Sequence, residues 1–227
     1  MMVGSVNFSR HTNMPEAVFF DMDGLLVDTE PYWLETEREL MADFGVIWRS
    51  EDQLYCLGGP MQKVGDYMSS LAQGRESSEW FAEELINRMA KKFANINLMP
   101  GIADLLDEIH ALGLSCALVS ASPRRLVDAV LAIFAVSPFK VTISANDVLR
   151  GKPHPDPYLK AAQLLGVDIA QSLIIEDSPT GVTAARASGA FVIAVPHIAP
   201  IPDAPRSATI QSLSGKNLSE LWSLCQR

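Results

Sequence analysis

The stretch FFDMDGLLVDTE, residues 19 to 30, sends four apolar residues, Ala17 to Phe20, straight into Asp21 and places Asp23 and Asp28 within the next seven positions. In an extended segment residues two apart point to the same side, so Asp21 and Asp23 can address one bound group. A carboxylate aimed at phosphorus can act as a nucleophile and form an aspartyl phosphate. A neighbouring carboxyl can protonate the leaving oxygen and then take the proton of an attacking water. Gly24 lets the chain turn sharply at once afterwards. Asp28, with Thr29 before Glu30-Pro31, reads as a cap at the start of a helix.

Three further segments carry groups suited to the same chemistry. Ser120, in VSASP, can offer its hydroxyl, and the backbone N–H groups around Ala121, to phosphate oxygens at a helix N-terminus. Lys152, in RGKPHPDPY, supplies the fixed cation that a nucleophilic carboxylate and a transferring phosphoryl group require. Glu176 and Asp177 follow the apolar run SLII. Four carboxylates in one crevice repel, and a hard divalent cation bound through oxygen, Mg²⁺ above all, relieves them. His11, His110, His154 and His197 form no ligand cluster; His110 reads as a helix-surface residue and His154 lies between prolines near a helix start. Arg124 and Arg125 fall in the first turn of a helix and can face solvent.

Positions so far apart in the chain need a scaffold that brings them to one edge. Short apolar runs rich in Val, Ile and Phe occur at 17–20, 114–120, 141–144, 172–176, 191–195 and 208–210. They are nearly continuous rather than alternating, as expected of strands covered on both faces. Between them PGIADLLDEIHALG, SPRRLVDAVLAIF, HPDPYLKAAQLLG and SPTGVTAARASGA have helical spacing; several open with a capping Ser or with Pro in the first turn, and several end at Gly. The alternation predicts an α/β protein, a three-layer Rossmann-like core with a parallel sheet. In such a sheet the site lies beyond the carboxyl ends of the strands, where Asp21, Ser120 and Glu176-Asp177 all fall.

From about Tyr32 to Asn97 no strand pattern occurs, only helical stretches such as YWLETERELMADFG and SSEWFAEELINRMAKKF around a loop, YCLGGPMQ. The expected organisation is a flexible N-terminal tail (1–14), a catalytic core (15–31 and 98–227) and an inserted α-helical cap (32–97). An apolar content of 48% with 20% charged residues is that of a chain that folds. The net charge of −9 argues against nucleic-acid or anionic-membrane partners, and any anion site must be locally positive. Cys56, Cys116 and Cys225 are odd in number and lack a CxxC pattern, which fits reduced thiols, and no run approaches a membrane span. A cytoplasmic monomer is expected.

FDMDGLLVDTE, VSASP, GKPHPDPY and IIEDSPTGVTAARASG, in this order and at these separations, resemble the four motifs of the haloacid dehalogenase superfamily. The likeness is to its small sugar-phosphate phosphatases and β-phosphoglucomutase-like members with a helical cap, and it covers the chain from about Pro15 onward. Carried over by position, it implies Asp21 as nucleophile, Asp23 as general acid/base, and Ser120 and Lys152 as phosphate binders. Mg²⁺ would be held by Asp21, the Asp23 backbone carbonyl and Asp177, with Glu176 as a further or outer ligand. Mutase members of that family tend to carry His where this chain has Trp33 and Arg near Gln62, so the resemblance implies a phosphatase acting on a small phosphorylated metabolite such as a sugar or polyol phosphate. A sugar-phosphate mutase is the first alternative and a phosphoaspartate receiver module the second. The loop LGGPMQK, together with Trp33, Gln62 and Lys63, is the expected substrate-contacting set.

Overall fold

The computed structural model describes residues 14–56, 61–196 and 200–226. Six strands, β1 (Ala17–Phe20), β2 (Ser115–Val119), β3 (Val141–Ile143), β4 (Leu173–Glu176), β5 (Phe191–Ala194) and β6 (Ser207–Thr209), form one sheet in the order β3-β2-β1-β4-β5-β6. Every pairing is parallel. The central strands are buried on both faces, and their side chains divide by parity. Val18, Phe20, Cys116, Leu118, Leu173 and Ile175 enter one apolar cluster. Ala17, Phe19, Ala117, Val119 and Ile174 enter the other. This is why the sequence runs read as continuous rather than alternating: each face has its own helical layer to meet.

The first face is covered by α5 (Ile102–Ala111), α6 (Arg124–Leu131) and α9 (Leu218–Cys225), which contribute Ile102, Leu105, Leu126, Val130, Leu218 and Trp222. The second is covered by α7 (Asp156–Leu165) and α8 (Pro179–Ala187), through Tyr158, Ala161, Val182 and Ala185. Ser178 caps α8, accepting from the Gly181 N–H at 3.0 Å with Pro179 in the first turn. Three parts of the sequence reading change here. The helix α9 was not anticipated, although Leu218, Leu221, Trp222 and Cys225 have helical spacing and are buried. Ser122 does not cap α6; Asn146 Oδ1 accepts the Arg124 N–H at 2.8 Å instead. Asp28 does not cap either: Thr29 stands at the N-cap of the helix that follows, with no side-chain cap bond, and Asp28 Oδ1 is buried without a partner.

Between β1 and α5 the described residues make four α-helices, α1 (Glu30–Ala42), α2 (Ser50–Cys56), α3 (Met61–Leu71) and α4 (Ser78–Lys92), the last followed by a 3-10 turn at Phe93–Asn95. Leu40, Met41, Trp48, Val64, Met68, Phe81 and Leu85 form an apolar cluster of their own. Farther along α4, Met89 joins the sheet's first cluster, as do Phe93 and Ile96. Of the expected loop YCLGGPMQ, Tyr55 and Cys56 end α2 and Met61 and Gln62 begin α3, while residues 57–60 lie outside the described residues. The chain leaves and re-enters the sheet region at one place, since Val27 forms an antiparallel bridge with Leu98 and the Met99 N–H donates to Leu26 O at 2.9 Å. No helix among the described residues is long and apolar enough to cross a membrane, and Cys56, Cys116 and Cys225 are buried free thiols.

Candidate active site

Three neighbouring strands end at the same edge, and the residue at each end is held by continuing the ladder one step. The Asp21 N–H donates to Ile175 O at 3.1 Å, the Ser120 N–H to Ile143 O at 2.9 Å, and the Val195 N–H to Glu176 O at 2.7 Å. Asp21, Ser120 and Glu176 are therefore fixed by backbone pairing before any side-chain contact is counted, and Asp177 follows Glu176 directly. All four are buried.

Lys152 reaches this edge from the segment between β3 and α7. Its ammonium spends its donors on Asp21 Oδ1, on Val119 O at 2.8 Å and on Glu176 Oε1 at 2.6 Å. The side chain is 3% exposed, so neither of its ion pairs is screened by water as a surface pair would be. Glu176 is enclosed: the Tyr158 hydroxyl donates to Oε1 at 2.7 Å, while Oε2 accepts the Asp177 N–H at 3.1 Å and the Ser178 hydroxyl at 3.2 Å. The start of α8 comes this close because residue 181 has no side chain. A Cβ on Gly181 would lie 1.8 Å from Glu176 Oε1. Gly24, at φ +79°, plays the same part opposite Asp177, where a Cβ would lie 2.4 Å from Oδ2.

Asp23 turns its Oδ2 toward the end of β2, accepting from the Ser122 hydroxyl at 2.8 Å and the Ser120 hydroxyl at 3.2 Å. Ser120 Oγ in turn accepts the Ser122 N–H at 2.9 Å. Sequence reasoning gave Ser122 no part in the site, though it stands two residues beyond Ser120 just as Asp23 stands two beyond Asp21. Tyr158 and Gly181 were likewise quoted within motifs without a role.

One ammonium faces four carboxylates here, and the acidities reflect it. Burial first, then the Glu176 charge, pushes Asp21 up to about 7 against the pull of Lys152. Burial and the charges of Asp21 and Glu176 push Asp177 up to about 9. Burial also raises Asp23, a rise opposed by the hydroxyls of Ser122 and Ser120. Lys152 is held well above its ordinary range, because the charges of Asp21 and Glu176 outweigh the effect of burial. Asp21, Glu176 and Asp177 offer carboxylate oxygens that lie within 4.8 Å of one another, and Asp177 Oδ1 is buried without a hydrogen-bond partner. An all-oxygen donor set of this charge, with a buried lone oxygen, fits a hard divalent cation and not a soft one.

The other expected residues stand apart from this cluster. Trp33 is partly buried and packs against both the sheet's first cluster and that of the helices. Gln62 donates to Asp66 Oδ1 at 3.0 Å along α3, and Lys63 donates to Tyr55 O at 2.6 Å with its ammonium 4.3 Å from the Tyr55 ring centre. Ala121 is exposed between two buried serines. The Arg124 side chain turns to Thr142 and Asp147 on and after β3, so it braces the sheet edge instead of facing solvent.

The family profile described as haloacid dehalogenase-like hydrolase matches residues 18–195. Hexitol phosphatase B of Escherichia coli strain K12 is 33% identical over 187 residues, covering 79% of this chain and 83% of that one. The protein CbbY of Rhodobacter capsulatus is 31% identical over 195 residues, covering 80% of this chain and 85% of the relative. Among solved structures, CbbY from Rhodobacter sphaeroides in complex with phosphate superposes with a TM-score of 0.78 at 25% identity, over 92% of this chain and 99% of that one.

Proposed function

Since the chain belongs to the haloacid dehalogenase-like hydrolases, we propose that it is a Mg²⁺-dependent phosphatase of a small phosphorylated metabolite, a sugar or polyol phosphate, working through an aspartyl phosphate on Asp21. The observation that carries this reading is the placement of Lys152, Glu176 and Asp177 around the buried Asp21 carboxylate, with a further carboxyl, Asp23, held separately by two serine hydroxyls. The likeness to a hexitol phosphatase and to a phosphate-bound CbbY points to the substrate class.

In the first half-reaction an Asp21 oxygen bonds to phosphorus as the bond from phosphorus to the ester oxygen breaks. Asp23, whose pKa burial raises, gives its proton to the departing alcohol. In the second, Asp23 as carboxylate takes a proton from water, the water oxygen bonds to phosphorus, and the bond to Asp21 breaks. Lys152 and Ser120 hold the charge on the phosphoryl oxygens. Asp21, Asp177 and the Asp23 carbonyl would hold the Mg²⁺, with Glu176 outside them. The ion, when bound, supplies the positive charge that this acidic site needs to admit a phosphate dianion. Residues 32–97 serve as a lid that closes over the substrate and shields the acyl phosphate from stray water.

The test is a panel of hexose and polyol phosphates offered to the wild type and to Asp21→Asn. The expected outcome is free phosphate from the wild type and none above background from the variant. Phosphate release that survives the substitution rejects the assignment, and isomerised sugar phosphate without free phosphate points to a mutase.

A further inference from the structure

We propose that Tyr158 is a positioning residue, whose hydroxyl orients the Glu176 carboxylate so that the Lys152 ammonium stays against Asp21. This rests on the reading of Asp21 as nucleophile. Tyr158 lies in the first turn of α7 and is fully buried, with its ring in the sheet's second apolar cluster. Its hydroxyl donates to Glu176 Oε1 at 2.7 Å, the same oxygen that accepts from Lys152 at 2.6 Å. The ring centre is 5.0 Å from the Lys152 ammonium. Tyr158 thus touches both members of the pair that flanks Asp21.

The need for a phenol at this place follows from the competition for one cation. Two carboxylates, on Asp21 and Glu176, share Lys152. When Asp21 becomes an acyl phosphate it loses its negative charge, and an unrestrained Glu176 would then draw the ammonium away from the transferring group. A second donor on Oε1 weakens that pull, because it supplies part of the positive character the oxygen requires. The Asp177 N–H and the Ser178 hydroxyl fix the other oxygen, so the carboxylate cannot rotate to compensate. An aromatic ring alone would fill the space; only the oxygen sets this balance.

Tyr158→Phe removes that oxygen and little else. With p-nitrophenyl phosphate and Mg²⁺, kcat should fall about 10- to 100-fold, as is common for groups that orient a site's inner residues, while KM stays within about threefold. The tryptophan bands of the near-UV circular dichroism should be unchanged, and Mg²⁺ titrated calorimetrically should bind both proteins with affinities within about threefold. In a Glu176→Gln background the same substitution should cost less than about twofold, since its route of action is already gone. An unchanged kcat, a loss of the tryptophan bands, a parallel loss of Mg²⁺ affinity, or additive losses in the two backgrounds would each overturn the inference. If Asp21→Asn is inactive while Tyr158→Phe is as fast as the wild type, the inference alone fails. If hydrolysis survives Asp21→Asn, the nucleophile assignment fails and takes the inference with it.

Discussion

Ser120 and Ser122 converge on a single oxygen of Asp23, and the shorter of the two bonds, 2.8 Å, comes from the residue that sequence patterning assigned to a helix cap. Ser122→Ala leaves Asp23 with the 3.2 Å bond alone, so the carboxyl gains freedom to leave the line between ester oxygen and proton. Hydrolysis by this variant should slow about tenfold, with KM little changed, in steady-state assays on the substrate the panel identifies. The convergence of Asp21, Ser120, Lys152, Glu176 and Asp177 was legible because most of them directly follow an apolar run, and the ends of parallel strands meet at one edge. Ser122 and Tyr158 were not legible as site residues. A serine before Pro-Arg satisfies every local rule for a cap, and a tyrosine in a helical run satisfies every rule for core; only the third dimension shows what their hydroxyls reach.

At the scale of elements, α8 is pressed against the site through Gly181, and the tolerance there is small. Gly181→Ala puts a methyl group 1.8 Å from Glu176 Oε1, so either the helix start or the carboxylate must move. A stability loss of about 2–3 kcal/mol is expected from overpacking of this kind, seen as a lower urea midpoint, together with loss of hydrolysis. The helices α1–α4 carry a titratable group of their own. Glu37, 4% exposed on α1, accepts from Trp48 Nε1 at 3.0 Å. Burial pushes it from 4.5 up to about 7, against the pull of that bond and with the Glu30 charge adding to the rise. The folded protein therefore holds this proton more tightly than the unfolded chain, and stability falls as the pH rises from about 4.5 to about 7. At ~1.4 kcal/mol per pH unit the effect is bounded at about 3.5 kcal/mol. Glu37→Gln should flatten that slope and be the more stable protein at pH 8 in urea titrations at both ends of the range; equal pH dependence in the two proteins would refute it. The strands were readable from apolar runs alone, and α9 would have been from its spacing. The partner that caps α6 was not, because Asn146 lies in a separate short 3-10 turn after β3.

For the molecule as a whole, the net charge of −9 and the buried acidic trio make the folded state pay for its own chemistry until a cation arrives. Mg²⁺ at about 100 times its dissociation constant should stabilise the protein by ~2.7 kcal/mol, a rise of roughly 5–10 °C in Tm for a chain of this size. Scanning calorimetry with Mg²⁺ and with a chelator measures it, and the rise should shrink in Asp177→Asn. A Tm indifferent to Mg²⁺ would count against the proposed ion site. The parallel sheet and the alternation of strands and helices followed from the sequence, whereas the strand order β3-β2-β1-β4-β5-β6 came only with the structure. How the inserted helices meet the sheet did not follow, because Met89 and Phe93 show the same apolar spacing whichever cluster they join. The bridge between Val27 and Leu98 has a broader meaning. An excursion that departs and returns through one doorway can grow, shrink or be exchanged without shifting the register of a single strand. Recognition of the organic part of a substrate and cleavage of its phosphate ester can then be inherited as separate traits.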